Sequence, residues 1–132
     1  MLDLAKFYPG VEDFLIKLEK NHKKMGIISN KYSFYVKRIL EHLHCPVIFD
    51  IILGADNTPI RKPDPAPILS ACSILQIPPE QTVMIGDSSF DILAGKAAGA
   101  KTIAVTYGFN HIDELASENP DLLLNNFNTI NL

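Results

Sequence analysis

The chain has 132 residues, enough for one domain with one sizeable core. It is 47% hydrophobic and 20% charged, which excludes an intrinsically disordered chain. Its 12 basic and 15 acidic residues leave a formal net charge of -3 with neutral histidines, the wrong balance for gripping a nucleic-acid backbone.

Pro9-Gly10 opens the first unit, and Val11, Phe14, Leu15 and Leu18 follow at the spacing of an amphipathic helix. The polar stretch 20–24 ends that helix. Residues 25–29 (MGIIS) read as a buried strand closed by a polar pair. Val36, Ile39, Leu40 and Leu43 repeat the helix spacing, and Val47 begins an apolar run that predicts a strand at Ile51–Leu53. The loop 55–62 is rich in turn formers. Asp64 then reads as a helix N-cap with Pro65 at the first helical position. Ile68, Ala71, Cys72 and Leu75 form the next apolar stripe, and Pro78-Pro79 breaks it.

Residues 82–85 (TVMI) predict a strand that ends at Gly86-Asp87. Phe90, Leu93, Ala94 and Ala97 are the expected inner stripe of a fourth helix, with Gly99 as its C-cap. A strand at 102–105, a short helix at Ile112–Ser117 and a last strand at Leu122–Leu124 complete the order. Strands separated by helices, with near-continuous apolar strand runs, predict an α/β fold: a parallel sheet with helices on both faces. The working edge of such a sheet is at the carboxyl ends of its strands.

Three polar clusters fall at that edge. Asp87 sits at a strand tip, with Asp91 one helical turn later. Two carboxylates beside hydroxyls suit a hard cation such as Mg²⁺; the plain alternative is that Asp87 or Ser88 merely caps the following helix. Lys62 precedes Pro63, which favours an extended backbone and a projecting side chain. It reads as a partner for phosphate or carboxylate, or as a solvated loop lysine. Ser29-Asn30 ends the first strand and can hold a phosphate oxygen through the hydroxyl and backbone N–H groups, or can form an ordinary turn. His22, His42, His44 and His111 have no ligand spacing, and His42 and His44 are expected on the exposed end of a helix. Tyr32, Phe34 and Tyr35 cluster without a basic stripe and read as packing or cleft lining. Cys45 and Cys72 are too few for a disulfide framework or a four-ligand zinc site and are read as reduced packing residues. No apolar run approaches a membrane span, and residues 1–6 lack the features of a signal peptide. The expected compartment is the cytoplasm, with neither membrane nor nucleic acid as a partner.

The ordered set of Ser29-Asn30, Lys62-Pro63-Asp64-Pro65 and Gly86-Asp87-Ser88-Ser89-Phe90-Asp91 resembles the haloacid dehalogenase superfamily of hydrolases, in its phosphoglycolate-phosphatase-like branch. The resemblance runs from about Tyr8 to the C-terminus. It implies a Rossmann-like three-layer sandwich and Mg²⁺-dependent phosphoryl transfer through an aspartyl-phosphate, with a small phosphorylated metabolite as substrate. It assigns Ser29 and Asn30 to phosphate binding, Lys62 to steadying phosphoryl charge, and Asp87 and Asp91 to the metal. Ser29 and Lys62 would be the catalytic pair. Phosphoryl transfer of this kind relies mainly on positioning and charge neutralisation.

The family's first motif, an apolar strand ending in Asp-x-Asp, is absent. Asp3 alone precedes Pro9, and the residue two after it is Ala5. The family's cap domain is absent as well. The whole chain, residues 1–132, is therefore expected to be one partial core domain. Its central first strand is expected to be missing from between the strands at 25–29 and 82–85, leaving a gap or an ill-fitting pairing. Two readings follow: the phosphate-holding, metal-binding half of a phosphatase, or a non-catalytic module that acts through a partner. In either case a complementing N-terminal segment or a homo-oligomer is the expected macromolecular partner.

Overall fold

A computed structural model of the chain describes residues 7–106 and 112–130; residues 1–6, with Asp3 among them, and His111 lie outside the described residues. The elements run α1 (Val11–Lys20), β1 (Gly26–Ile28), α2 (Ser33–His42), β2 (Ile51–Leu53), α3 (Ala66–Leu75), β3 (Val83–Gly86), α4 (Ser89–Ala98), β4 (Lys101–Val105), α5 (Ile112–Ser117) and β5 (Leu122–Leu124). Single 3₁₀ turns stand at Pro79–Gln81 and Phe127–Thr129. No helix among the described residues is long and apolar enough to cross a membrane.

All strand pairs are parallel, but they form two sheets. β1 pairs with β2, Ile27 opposite Ile52. β3 pairs with β4, Ile85 opposite Ile103, and β4 with β5, Ala104 opposite Leu123. β1 and β3 do not pair with each other. A cavity of about 610 Å³, lined by residues of both strands, lies between them. Among the described residues β1 and β3 stand apart across this cavity rather than pairing directly.

Side chains alternate across β3 and β4 as strand geometry requires. Val83 and Ile85 with Ile103 and Val105 face α1, where Phe14 packs on Ile103, Val105 and Ile130. Met84 faces the other layer, where Ile68 and Cys72 of α3 meet Ala94 and Ala98 of α4. Ile28 of β1 packs into that same cluster, so α3 bridges the two sheets. Ala104 joins Ile92 and Leu115 in a third cluster between β4, α4 and α5.

Two local expectations are corrected. The α3 helix begins at Ala66, one residue later than expected, because the Pro65 carbonyl accepts the first helical bond from Leu69 at 3.0 Å. Pro65, not Asp64, is thus the N-cap, and Asp64 just before it accepts from the Ala66 N–H at 2.9 Å. Of the expected inner stripe of α4, Ala94 is buried, but Phe90, Leu93 and Ala97 are exposed. Phe90 is 50% and Leu93 39% exposed, while Asp91, Ile92, Ala94, Gly95 and Ala98 are buried. Small residues bring this helix close to the sheet, Ile92 packs inside, and Phe90 and Leu93 face outward. Gly99, at φ 85°, closes the helix in the left-handed region as expected.

Candidate functional site

Asp91 is the hub of the site. It lies at the third position of α4, where Ser88 and Asp91 form a reciprocal capping box. The Asp91 Oδ2 accepts from the backbone N–H groups of Asp87 and Ser88 at 3.2 Å each and from the Ser88 hydroxyl at 3.1 Å. Its other oxygen, Oδ1, takes the Lys62 ammonium at 2.5 Å. The two side chains are only 11% and 9% exposed, so this charge-assisted pair is shielded from solvent and salt. Gly86 is required here for a reason the sequence did not reveal. A Cβ at that position would collide with the Asp91 side chain, so glycine makes room for this carboxylate.

Lys62 is placed from the opposite sheet. The Asn30 side chain accepts from the Lys62 N–H and donates to the Lys62 carbonyl, both at 3.2 Å. The strand end after β1 thereby clamps the backbone of the lysine loop. The clamp uses one of the two Nδ2 hydrogens of Asn30. Ser29 N–H continues the β1–β2 ladder to the Leu53 carbonyl at 2.9 Å, and the Ser29 hydroxyl accepts from the Lys31 N–H at 3.0 Å. That hydroxyl retains its own proton to donate. Asp56 secures the neighbouring start of α2, accepting from Ser33 N–H and from the Ser33 hydroxyl at 2.6 Å each.

The carboxyl ends of β1 and β3 therefore meet around Lys62, as expected from the strand order. Asp87 lies next to this pair. Burial first, and then the negative charge of Asp91, push its carboxyl above its ordinary value; Lys62 and a hydrogen bond from the Tyr8 hydroxyl act in the opposite direction. Burial, followed by the Asp87 charge, raises the Tyr8 hydroxyl in turn, keeping it a donor.

A divalent cation would offset both influences that burden Asp87, and its oxygens suit a hard ion. Both Asp91 oxygens accept from protein donors, orienting the Asp87 backbone and Lys62. Among the described residues no group of three or more His, Cys, Asp or Glu side chains converges to hold a metal, so the donor set is partial.

Sequence reasoning could name Ser88 as a cap of the following helix but missed Tyr8. Ser88 carried a signal, since Ser-x-x-Asp before a helix is the capping-box pattern. Tyr8 carried none, because its role depends on a contact with a residue far along the chain.

The sequence pattern of the haloacid dehalogenase-like hydrolases matches residues 1–105. The phosphoglycolate phosphatase of Psychrobacter arcticus is 40% identical over 123 residues, 93% of this chain and 54% of that protein. Phosphoglycolate phosphatase 1 of Pseudomonas aeruginosa is 41% identical over 123 residues, 93% of this chain and 45% of its own length. A crystal structure of a predicted phosphoglycolate phosphatase from Haemophilus somnus superposes with a TM-score of 0.86 at 32% identity, covering 91% of this chain and 53% of that one. The chain thus spans about half the length of the curated relatives it matches.

Proposed function

The chain belongs to the haloacid dehalogenase-like hydrolase family, and from that premise we propose that it is the phosphate-holding and metal-binding half of a Mg²⁺-dependent phosphomonoester hydrolase. The observation that carries the reading is the shielded Lys62–Asp91 pair beside Asp87, where strand ends from both sheets meet. The names of the curated relatives support phosphoglycolate as the small phosphorylated substrate.

In this reading Lys62 neutralises charge on the phosphoryl oxygens, and the Ser29 hydroxyl donates to one of them. The Asn30 side chain keeps Lys62 in place. Asp87 would hold Mg²⁺, which when bound supplies further positive charge to the phosphoryl group. Fixed cations and donors of this kind account for most of the catalysis in phosphoryl transfer. The partial donor set favours a second reading for the chain by itself, a non-catalytic module that binds phosphate or Mg²⁺ weakly and acts through a partner.

A chimera distinguishes the two. This chain would replace the corresponding half of the Psychrobacter arcticus phosphatase, with phosphoglycolate as substrate. Mg²⁺-dependent turnover that falls about 100-fold or more in the Lys62→Ala chimera is the expected result. A folded chimera without turnover, or one whose turnover ignores Lys62→Ala, would return the chain to the second reading.

A further inference from the structure

We propose that Asp56 is a positioning residue for Lys62: by holding Ser33 it fixes the loop after β1, and Asn30 in that loop fixes the lysine. The consequence for phosphate rests on Lys62 serving the phosphoryl group. The link from Asp56 to Lys62 rests on hydrogen-bond geometry alone.

The start of α2 has no local cap. Its N-cap residue is Tyr32, whose side chain makes no capping bond. The first N–H groups of a helix lack intrahelical partners, and a neighbouring Ser, Thr, Asp or Asn ordinarily serves them. Here the acceptor comes from 23 residues further along the chain. Asp56 Oδ1 accepts from the Ser33 N–H and Oδ2 from the Ser33 hydroxyl, at 2.6 Å each. Ser33 is buried, and its bonds draw the Asp56 carboxyl below its ordinary value, as bonds to the charged form do.

Two further joins lie between this cap and the lysine. Ala55 N–H donates to the Lys31 carbonyl at 2.9 Å. Gly54 permits that approach, since a Cβ there would lie 2.5 Å from both the Lys31 carbonyl oxygen and the Ser33 nitrogen. Asn30 then bonds to Lys62. Among the described residues Asn30 is the partner of both the Lys62 N–H and the Lys62 carbonyl, so what holds Asn30 holds the lysine backbone. Segments 30–33 and 55–62 are thus laced together at Asn30, Lys31 and Ser33. Only the Asp56 bonds in this lacing are charge-assisted, the stronger kind. A residue that merely capped α2 would alter stability and leave Lys62 where it is.

The test uses the whole 132-residue chain with Asp56→Ala and Asp56→Asn. Asparagine keeps an acceptor for the Ser33 N–H and can donate to the Ser33 hydroxyl oxygen, so it is the conservative variant. Hydrogen exchange followed by NMR reads the Lys62 amide, and urea unfolding gives the stability of each protein. In Asp56→Ala the Lys62 amide is expected to exchange about tenfold faster beyond what the change in global stability accounts for, with most of the protection regained in Asp56→Asn. Titration with inorganic phosphate, read at Ser29 and Lys62, is expected to show about fivefold weaker binding in Asp56→Ala and near-parent binding in Asp56→Asn. If Asp56→Ala unfolds, Ser33→Ala removes one of the two bonds and is read in the same way. Lys62 exchange that follows global stability alone would overturn the proposal. So would an asparagine variant no better than alanine, or equal phosphate binding by parent and Asp56→Ala. Faster Lys62 exchange in a chain whose parent ignores phosphate would support the link from Asp56 to Lys62 and count against the phosphate reading.

Discussion

Both oxygens of Asp91 are engaged at once, one capping α4 and one pairing with Lys62. Removing only the lysine leaves a buried carboxylate without its cation. Lys62→Met is expected to destabilise the chain by about 3 kcal/mol in urea unfolding, while adding Asp91→Asn, which keeps an acceptor for the cap, should recover a large part of that loss. A double variant as unstable as the sum of the two single ones would contradict the pairing. Asp87 behaves in the opposite way. Its carboxyl is raised above the ordinary value of 3.8, so the folded chain holds that proton more tightly than the unfolded one. The resulting stabilisation is complete below the ordinary value and is lost as pH rises through the raised one. Asp87→Asn is therefore expected to melt higher than the parent at pH 7 without divalent cations, with the difference closing in acid. Calorimetry across that range decides it, and a lower melting temperature for the variant at pH 7 would contradict the account.

At the scale of elements, order and type were legible because the apolar runs are short and bounded by turn formers. The strands at Ile51–Leu53 and Leu122–Leu124 and the helix at Ile112–Ser117 form where the pattern placed them. The face of α4 was not legible. Its hydrophobicity points to Phe90 and Leu93, but close approach to the sheet selects small residues. A Cβ on Gly95 would lie 2.7 Å from Thr102 Cγ2 and 2.9 Å from Met84 Cβ. Gly95→Ala should therefore cost about 1–3 kcal/mol by overpacking, despite its better helix propensity. A neutral or stabilising effect in thermal unfolding would show that α4 can back away from the sheet. In the site, Asp87, Asp91, Lys62 and Ser29 were legible as polar residues at strand ends. The clamp of Asn30 on Lys62, across 32 residues of chain, was not, because it depends on β1 and β2 pairing side by side, which brings together the loops that follow them.

On the scale of the whole molecule, the two sheets share α3 as a bridge, and Lys62, beyond β2, reaches Asp91 of α4. The site therefore depends on the relative placement of two bodies separated by a cavity, and whatever fills that cavity will also fix Lys62 relative to Asp87. The central claim is that Asp87, backed by Asp91 and Lys62, forms a phosphate-side cation site in this chain. The direct test is an NMR titration of the chain and of Asp87→Asn with Mg²⁺. The account predicts weak, saturable shifts centred on residues 86–91 and Lys62 in the parent, and their loss in the variant. Equal responses in both proteins, or shifts centred away from these residues, would contradict it.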